Sequence, residues 1–274
     1  MLHLLRTHLE SKAPELATML DSSLSIITST TNPLRFSFAA LGLRETLREY
    51  FAVVSPDNSV STAKWHEVKD PKNPVTRGDR ILFSIYSYIS PSFFSKSFSD
   101  EVDILVDDLV KKIKKLSKYI HFKQDIFSIS EKELENKIEE TLNLFYSLVT
   151  AIETAHSHVL DELATQLSDT LSDMFRNDFF DELDCLSTHT RPQSADDVEV
   201  TIISIDCEKI HFSGSGSVSC DLQYGSDGDC ACGDGLESSG SYPFSFSGTS
   251  PVERPTDVDV SKDDINIDTD SFYE

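Results

Sequence analysis

LSTHTRPQSADDVEVTIISI, residues 186–205, is the stretch where the chain changes its chemistry. Upstream of it, no Gly or Pro interrupts the sequence between Pro91 and Pro192, and apolar residues recur at helical spacing. Downstream, β-branched residues crowd Val198–Ile205, and Val218, Cys220, Leu222 and Tyr224 alternate with polar neighbours, as do Phe244 and Phe246. Spacings of three and four build one face of a helix, whereas strict alternation builds one face of a strand. The change at Thr190-Arg191-Pro192 therefore predicts an α+β protein: an N-terminal all-α helical bundle over 1–190, then a small antiparallel, sandwich-like β domain over 197–274. Gly214, Gly216, Gly225, Gly228, Gly233, Gly235 and Gly240 read as punctuation between about six short strands, in a sandwich or an open sheet.

On the helical side, residues 3–28 read as one or two helices with Leu4, Leu5, Leu16, Met19 and Leu20 inward. Asn32-Pro33 opens another helix, with Asn as cap and Pro in the first turn. That helix is expected to turn Leu34, Phe38, Leu41, Leu47 and Phe51 to the core, while Ser37, Arg44 and Arg48 share a different face. Residues 55–76 read as a long loop holding the only tryptophan, Trp65. Thr76 caps the next helix with Asp79 as an imperfect box partner, which puts Arg77 and Arg80 in the first turn, where cations oppose the helix dipole and either bridge to acids elsewhere in the fold or invite an anionic partner. Val102, Val106, Leu109, Ile113 and Leu116 mark a helix over 100–121, with Lys111, Lys114, Lys115 and Lys118 on its far side. Ser130 and Glu133 form a capping box for one very long helix or two, running to about Leu186 along a Leu134–Leu167 seam. Such a seam usually packs within its own bundle, but its length also suits a homodimer.

The net charge of −23 is unevenly placed. Residues 32–123 carry 15 Lys/Arg against 11 Asp/Glu, whereas residues 191–274 carry 4 against 18. A protein acidic in bulk repels nucleic acid at long range, so the basic core segment 32–123 must make any such contact locally. No apolar run approaches the roughly 20 residues of a membrane span, so no membrane partner is expected. The first residues lack a secretory pattern, and the odd count of five cysteines does not space like a disulfide framework; both point to a reducing cytoplasm.

Several constellations could carry chemistry. Arg44, Arg48, Arg77 and Arg80 with Lys118 and His121 make a nucleic-acid site if three helices converge. Neighbouring lysines disfavour the protonated imidazole, leaving His121 able to accept a proton, while the arginines hold a phosphodiester without a metal or any other cofactor. A solvated basic face is the plainer reading of the same residues. Asp57, Glu67 and Lys69 resemble the acid–acid–lysine set of Mg²⁺ endonucleases but lie in a loop between helices. Asp227-Gly228-Asp229 with Asp234 misses calcium-loop spacing at Ala231. Cys220, Cys230, Cys232 and His211 lack the usual zinc spacing, and His156 reads as a seam residue.

Leu34-Arg35-Phe36-Ser37, Leu43-Arg44-Glu45-Thr46-Leu47-Arg48, Val75-Thr76-Arg77-Gly78-Asp79-Arg80 and Leu116-Ser117-Lys118-Tyr119-Ile120-His121, with Phe212–Gly216 and Leu222–Asp227, resemble the bacterial family of predicted pPIWI-associating nucleases. The likeness runs from about residue 30 to the end. It implies a nucleic-acid-cleaving protein of mobile bacterial conflict systems, encoded beside Argonaute-like proteins and serving antiviral defence. The helical half is similar to HEPN ribonucleases, whose site is an Arg and a His a few residues apart, usually in a dimer. Here Lys115 stands where that Arg is expected. The expectation is a metal-independent nuclease, RNA favoured as substrate, with His121 and Lys118 catalytic and Arg44, Arg48, Arg77 and Arg80 on the phosphates. The acidic β domain would dock a protein partner or cover the basic face. The alternative is a non-catalytic interaction protein that uses the same β domain to bind.

Overall fold

A computed structural model describes residues 1–118, 130–177, 183 and 186–269. The chain divides into two compact units, Met1–His158 and Val159–Glu274. The first is helical: α1 Leu2–Lys12, α2 Pro14–Ser25, α3 Arg35–Val54, α4 Asp57–Thr62, α5 Arg77–Tyr86, α6 Lys96–Lys118 and the start of α7 Glu131–Asn177. The second holds the rest of α7, the strands β1 His189–Ile205, β2 Lys209–Tyr224 and β3 Leu236–Pro251, a short α8 Asp227–Cys232, and β4 Ile265–Ile267. The fold is α+β, as the periodicity predicts. Among the described residues no helix is long and apolar enough to cross a membrane.

In the helical unit Leu5, Leu9, Leu16, Ala17 and Leu20 are buried, but Leu4 is exposed. α3 is rotated from the expected face: Phe38 and Leu41 are exposed, while Phe36, Ala39, Ala40, Leu43, Leu47, Tyr50 and Phe51 are buried. The cause is close approach. A Cβ at Gly42 would collide with the Ser23 side chain, so α2 and α3 meet along a seam of small residues that a search for large apolar side chains overlooks. The Asn32 side chain accepts from the Leu34 amide at 3.0 Å, opening the helix two residues later than Pro33 suggests.

The span 55–76 is not all loop. Asp57–Thr62 is a short helix, and Val60, Ala63, Val75 and Phe83 enclose a small core on which Trp65 and Tyr88 pack. The Trp65 indole donates to the Ser87 carbonyl at 3.0 Å, so the tryptophan anchors this segment rather than presenting it. The box at Thr76 is complete: the Thr76 amide donates to Asp79 Oδ2 at 2.7 Å, and the Asp79 amide donates to Thr76 Oγ1 at 3.2 Å. Asp is long enough here. The Ser130–Glu133 box also forms and opens α7, a single helix of 47 residues.

The second unit is one four-stranded antiparallel sheet in the order β1-β2-β3-β4, the open-sheet alternative, with no second sheet among the described residues. Three long strands and one short one replace the expected six. Several glycines taken for turns lie inside strands instead. Gly214 pairs with Phe246 and Gly216 with Phe244, and each ring lies where a glycine Cβ would project. Phe175 of α7 stacks edge-on against Phe244 and Phe246 with both centroids at 5.1 Å, which joins helix and sheet into one core. The described cysteines, Cys207, Cys220, Cys230 and Cys232, are all free.

Candidate functional site

Arg44, Arg48, Arg77 and Arg80 line one cavity of about 250 Å³ in the helical unit, with Glu45, Leu47, Phe51 and Ile113. Each element delivers its part for a local reason. α3 contributes Arg44 and Arg48, four residues apart and so one turn apart on the same side. α5 contributes Arg77 and Arg80, three apart in the turn that the Thr76–Asp79 box fixes. α6 contributes Ile113, a buried residue of its apolar stripe. Leu47, Phe51 and Ile113 supply apolar lining beside the four arginines.

The arginines are unequally occupied. Arg44 Nη2 lies 2.7 Å from Glu45 Oε1, and Arg48 Nη1 lies 3.1 Å from Glu45 Oε2, so one carboxylate spans both. Arg48 also reaches Glu49 at 2.8 Å. Arg80 grips Asp57 Oδ1 from across the α4–α5 turn, at 2.6 Å and 2.9 Å. Among the described residues Arg77 has no ion-pair partner, and it is exposed. Ion pairs that stay in contact with water hold weakly, so an incoming phosphate can displace them. A planar guanidinium can offer two parallel donors to phosphate oxygens, and four arginines lining one cavity suit it to a phosphodiester.

The other proposed residues fare differently. Lys118 is the last residue of α6. His121 lies outside the described residues. Asp57 of the Mg²⁺ reading is held by Arg80, while Glu67 and Lys69 stand in the loop after α4. Among the described residues no three His, Cys, Asp or Glu side chains gather as a metal site. Asp229 is spent capping α8 through Ser226, and His211 pairs with Asp206 at 3.0 Å at the β1–β2 turn. Glu45 was not singled out from sequence, although its place three residues before Arg48 signals the contact.

The family of predicted pPIWI-associating nucleases is described by two profiles that match this chain, one over residues 9–145 and the other over residues 152–273. The chain belongs to that family. No curated protein and no solved structure matches it. The four-arginine cavity lies within the first matched span, and the sheet with the end of α7 within the second. Nucleic acid is the substrate class of the pPIWI-associating nucleases as the family is described.

Proposed function

We propose that this pPIWI-associating nuclease is an effector of a bacterial defence system that cleaves RNA without a metal ion. The observation that carries the reading is the convergence of Arg44, Arg48, Arg77 and Arg80 on one cavity, with Arg77 unpaired among the described residues. The arginines hold the phosphodiester and neutralise charge as it grows on the pentavalent phosphorus. His121, three residues beyond the end of α6, removes the proton of a ribose 2′-hydroxyl. The 2′-oxygen attacks phosphorus, and the 5′-oxygen leaves with a proton returned to it. Lys118, three residues before His121 in sequence, disfavours the imidazolium and leaves the ring able to accept a proton.

Cleavage of labelled single-stranded RNA and of DNA of the same sequence, in EDTA and in Mg²⁺, tests this directly. RNA cleavage in EDTA that is lost in His121→Ala, with the melting temperature unchanged, is the expected result. DNA remains intact, because it lacks the 2′-hydroxyl. Activity that requires Mg²⁺ transfers the chemistry to Asp57, Glu67 and Lys69. Silence from a folded protein favours the alternative, a non-catalytic module whose acidic sheet docks a partner protein.

A further inference from the structure

We infer that a second cavity in the helical unit binds an uncharged heterocyclic base of the purine or pyrimidine class. This cavity, of about 410 Å³, is lined by Lys12, Tyr50, Ser84, Ile152, Glu153 and His156 among others. Its size falls in the range of small-molecule sites. The choice of a nucleobase within the class of neutral heterocycles rests on the nucleic-acid reading above.

The polar groups are held in place. His156 Nδ1 lies 2.8 Å from the Ile85 carbonyl oxygen. A carbonyl only accepts, so Nδ1 carries the hydrogen, and Nε2 of the neutral ring is left with a lone pair. Glu153 is fixed by two cations or donors at once, Lys12 Nζ at 2.9 Å and His8 Nδ1 at 2.8 Å. Each carboxylate oxygen keeps room for another donor. Tyr50 lines the cavity and is 1% exposed. Burial and the Glu153 charge both push the phenol up, so it remains a donor.

The charges decide the ligand class. Lys12 and Glu153 cancel, in contrast to the arginine cavity. An anion meets the Glu153 carboxylate and a cation meets Lys12, so neither is favoured. What remains complementary is a neutral molecule with N–H donors for Glu153 and His156 Nε2 and acceptors for Tyr50 and Lys12. Phe83, Val54 and Ile152 supply apolar wall for a flat ring. Purines and pyrimidines have this pattern of edges and faces. Both cavities draw on α3 and α5, and Arg80 and Ser84 stand one turn apart on α5, so the phosphate and base sites share one rigid scaffold.

The test uses the full chain and the four ribonucleosides, which carry no phosphate. Trp65 is the only tryptophan and donates to the carbonyl of Ser87, which lines the cavity, so its fluorescence reports occupancy. A saturable change with at least one nucleoside is expected, weakened roughly tenfold by Glu153→Gln and by His156→Asn. Asn retains a donor near the Nδ1 position for Ile85 while removing the Nε2 edge, so it keeps the test intact if Glu153→Gln loses the α1–α7 link and unfolds. No saturable binding up to about 10 mM of any nucleoside, or binding indifferent to both variants, overturns the inference. Inorganic phosphate separates the two readings. It competes with oligonucleotide at the arginine cavity but not with nucleoside here. Oligonucleotide binding without nucleoside binding sinks only the base site, and nucleoside binding without oligonucleotide binding sinks only the phosphate reading.

Discussion

Arg77 and Arg80 sit three residues apart on α5, yet substitution should affect them differently. Arg77 is exposed and makes no ion pair among the described residues, so Arg77→Ala leaves the melting temperature unchanged. It still weakens single-stranded RNA binding, and the slope of log K against log salt falls by about 0.7, the share of one released counterion. Arg80 also holds Asp57, so Arg80→Ala weakens binding and loosens the start of α4 as well. A binding isotherm series in salt, read beside thermal melts, distinguishes the two. His8 gives the molecule an acid sensitivity of its own. Burial lowers its pKa from 6.5 more than Glu153 raises it, and among the described residues the buried Nε2 has no hydrogen-bond partner. A histidine lowered in the fold binds fewer protons folded than unfolded just below pH 6.5. Stability from this residue is therefore complete above about pH 6.5 and declines as pH falls below it. Melts between pH 7.5 and about 5 should show that decline, and His8→Gln should flatten it.

Single elements carry two further expectations. The Thr76–Asp79 box sets the first turn of α5 and with it the direction of two arginines. Thr76→Ala should cost about 1 kcal/mol of stability in chemical denaturation and weaken RNA binding beyond what that loss explains. In the sheet, Gly214 faces both Phe246 and the Glu199 carbonyl. A methyl there meets backbone on one side and a packed ring on the other. Gly214→Ala should lower the stability of the β unit by roughly 1–3 kcal/mol, seen as earlier loss of strand signal in thermal unfolding. The glycines of this sheet are covered by rings rather than bent into turns. That is why a pattern of Gly/Ser punctuation suggested six short strands where three long ones run.

Across the molecule, a local cluster of four arginines works inside a chain of net charge −23. The cluster alone predicts a salt slope near −3 for a single strand. Salt also screens the long-range repulsion between the acidic bulk and the nucleic acid, so the measured slope should be shallower than that. The α+β division, the helix spans and the capping boxes were legible along the chain, because periodicity and cap chemistry are set by residues a few positions apart. So was the pairing of Arg44 with Arg48 and of Arg77 with Arg80, which needs only the pitch of a helix. Other features depend on partners distant in sequence. The rotation of α3 follows from Gly42 meeting Ser23, and the place of Trp65 from the Ser87 carbonyl. The His156 tautomer follows from Ile85, 71 residues away. Local spacing determined which residues could face together; only packing between elements decided which of those faces became core, which became cavity, and that the two arginine pairs share one.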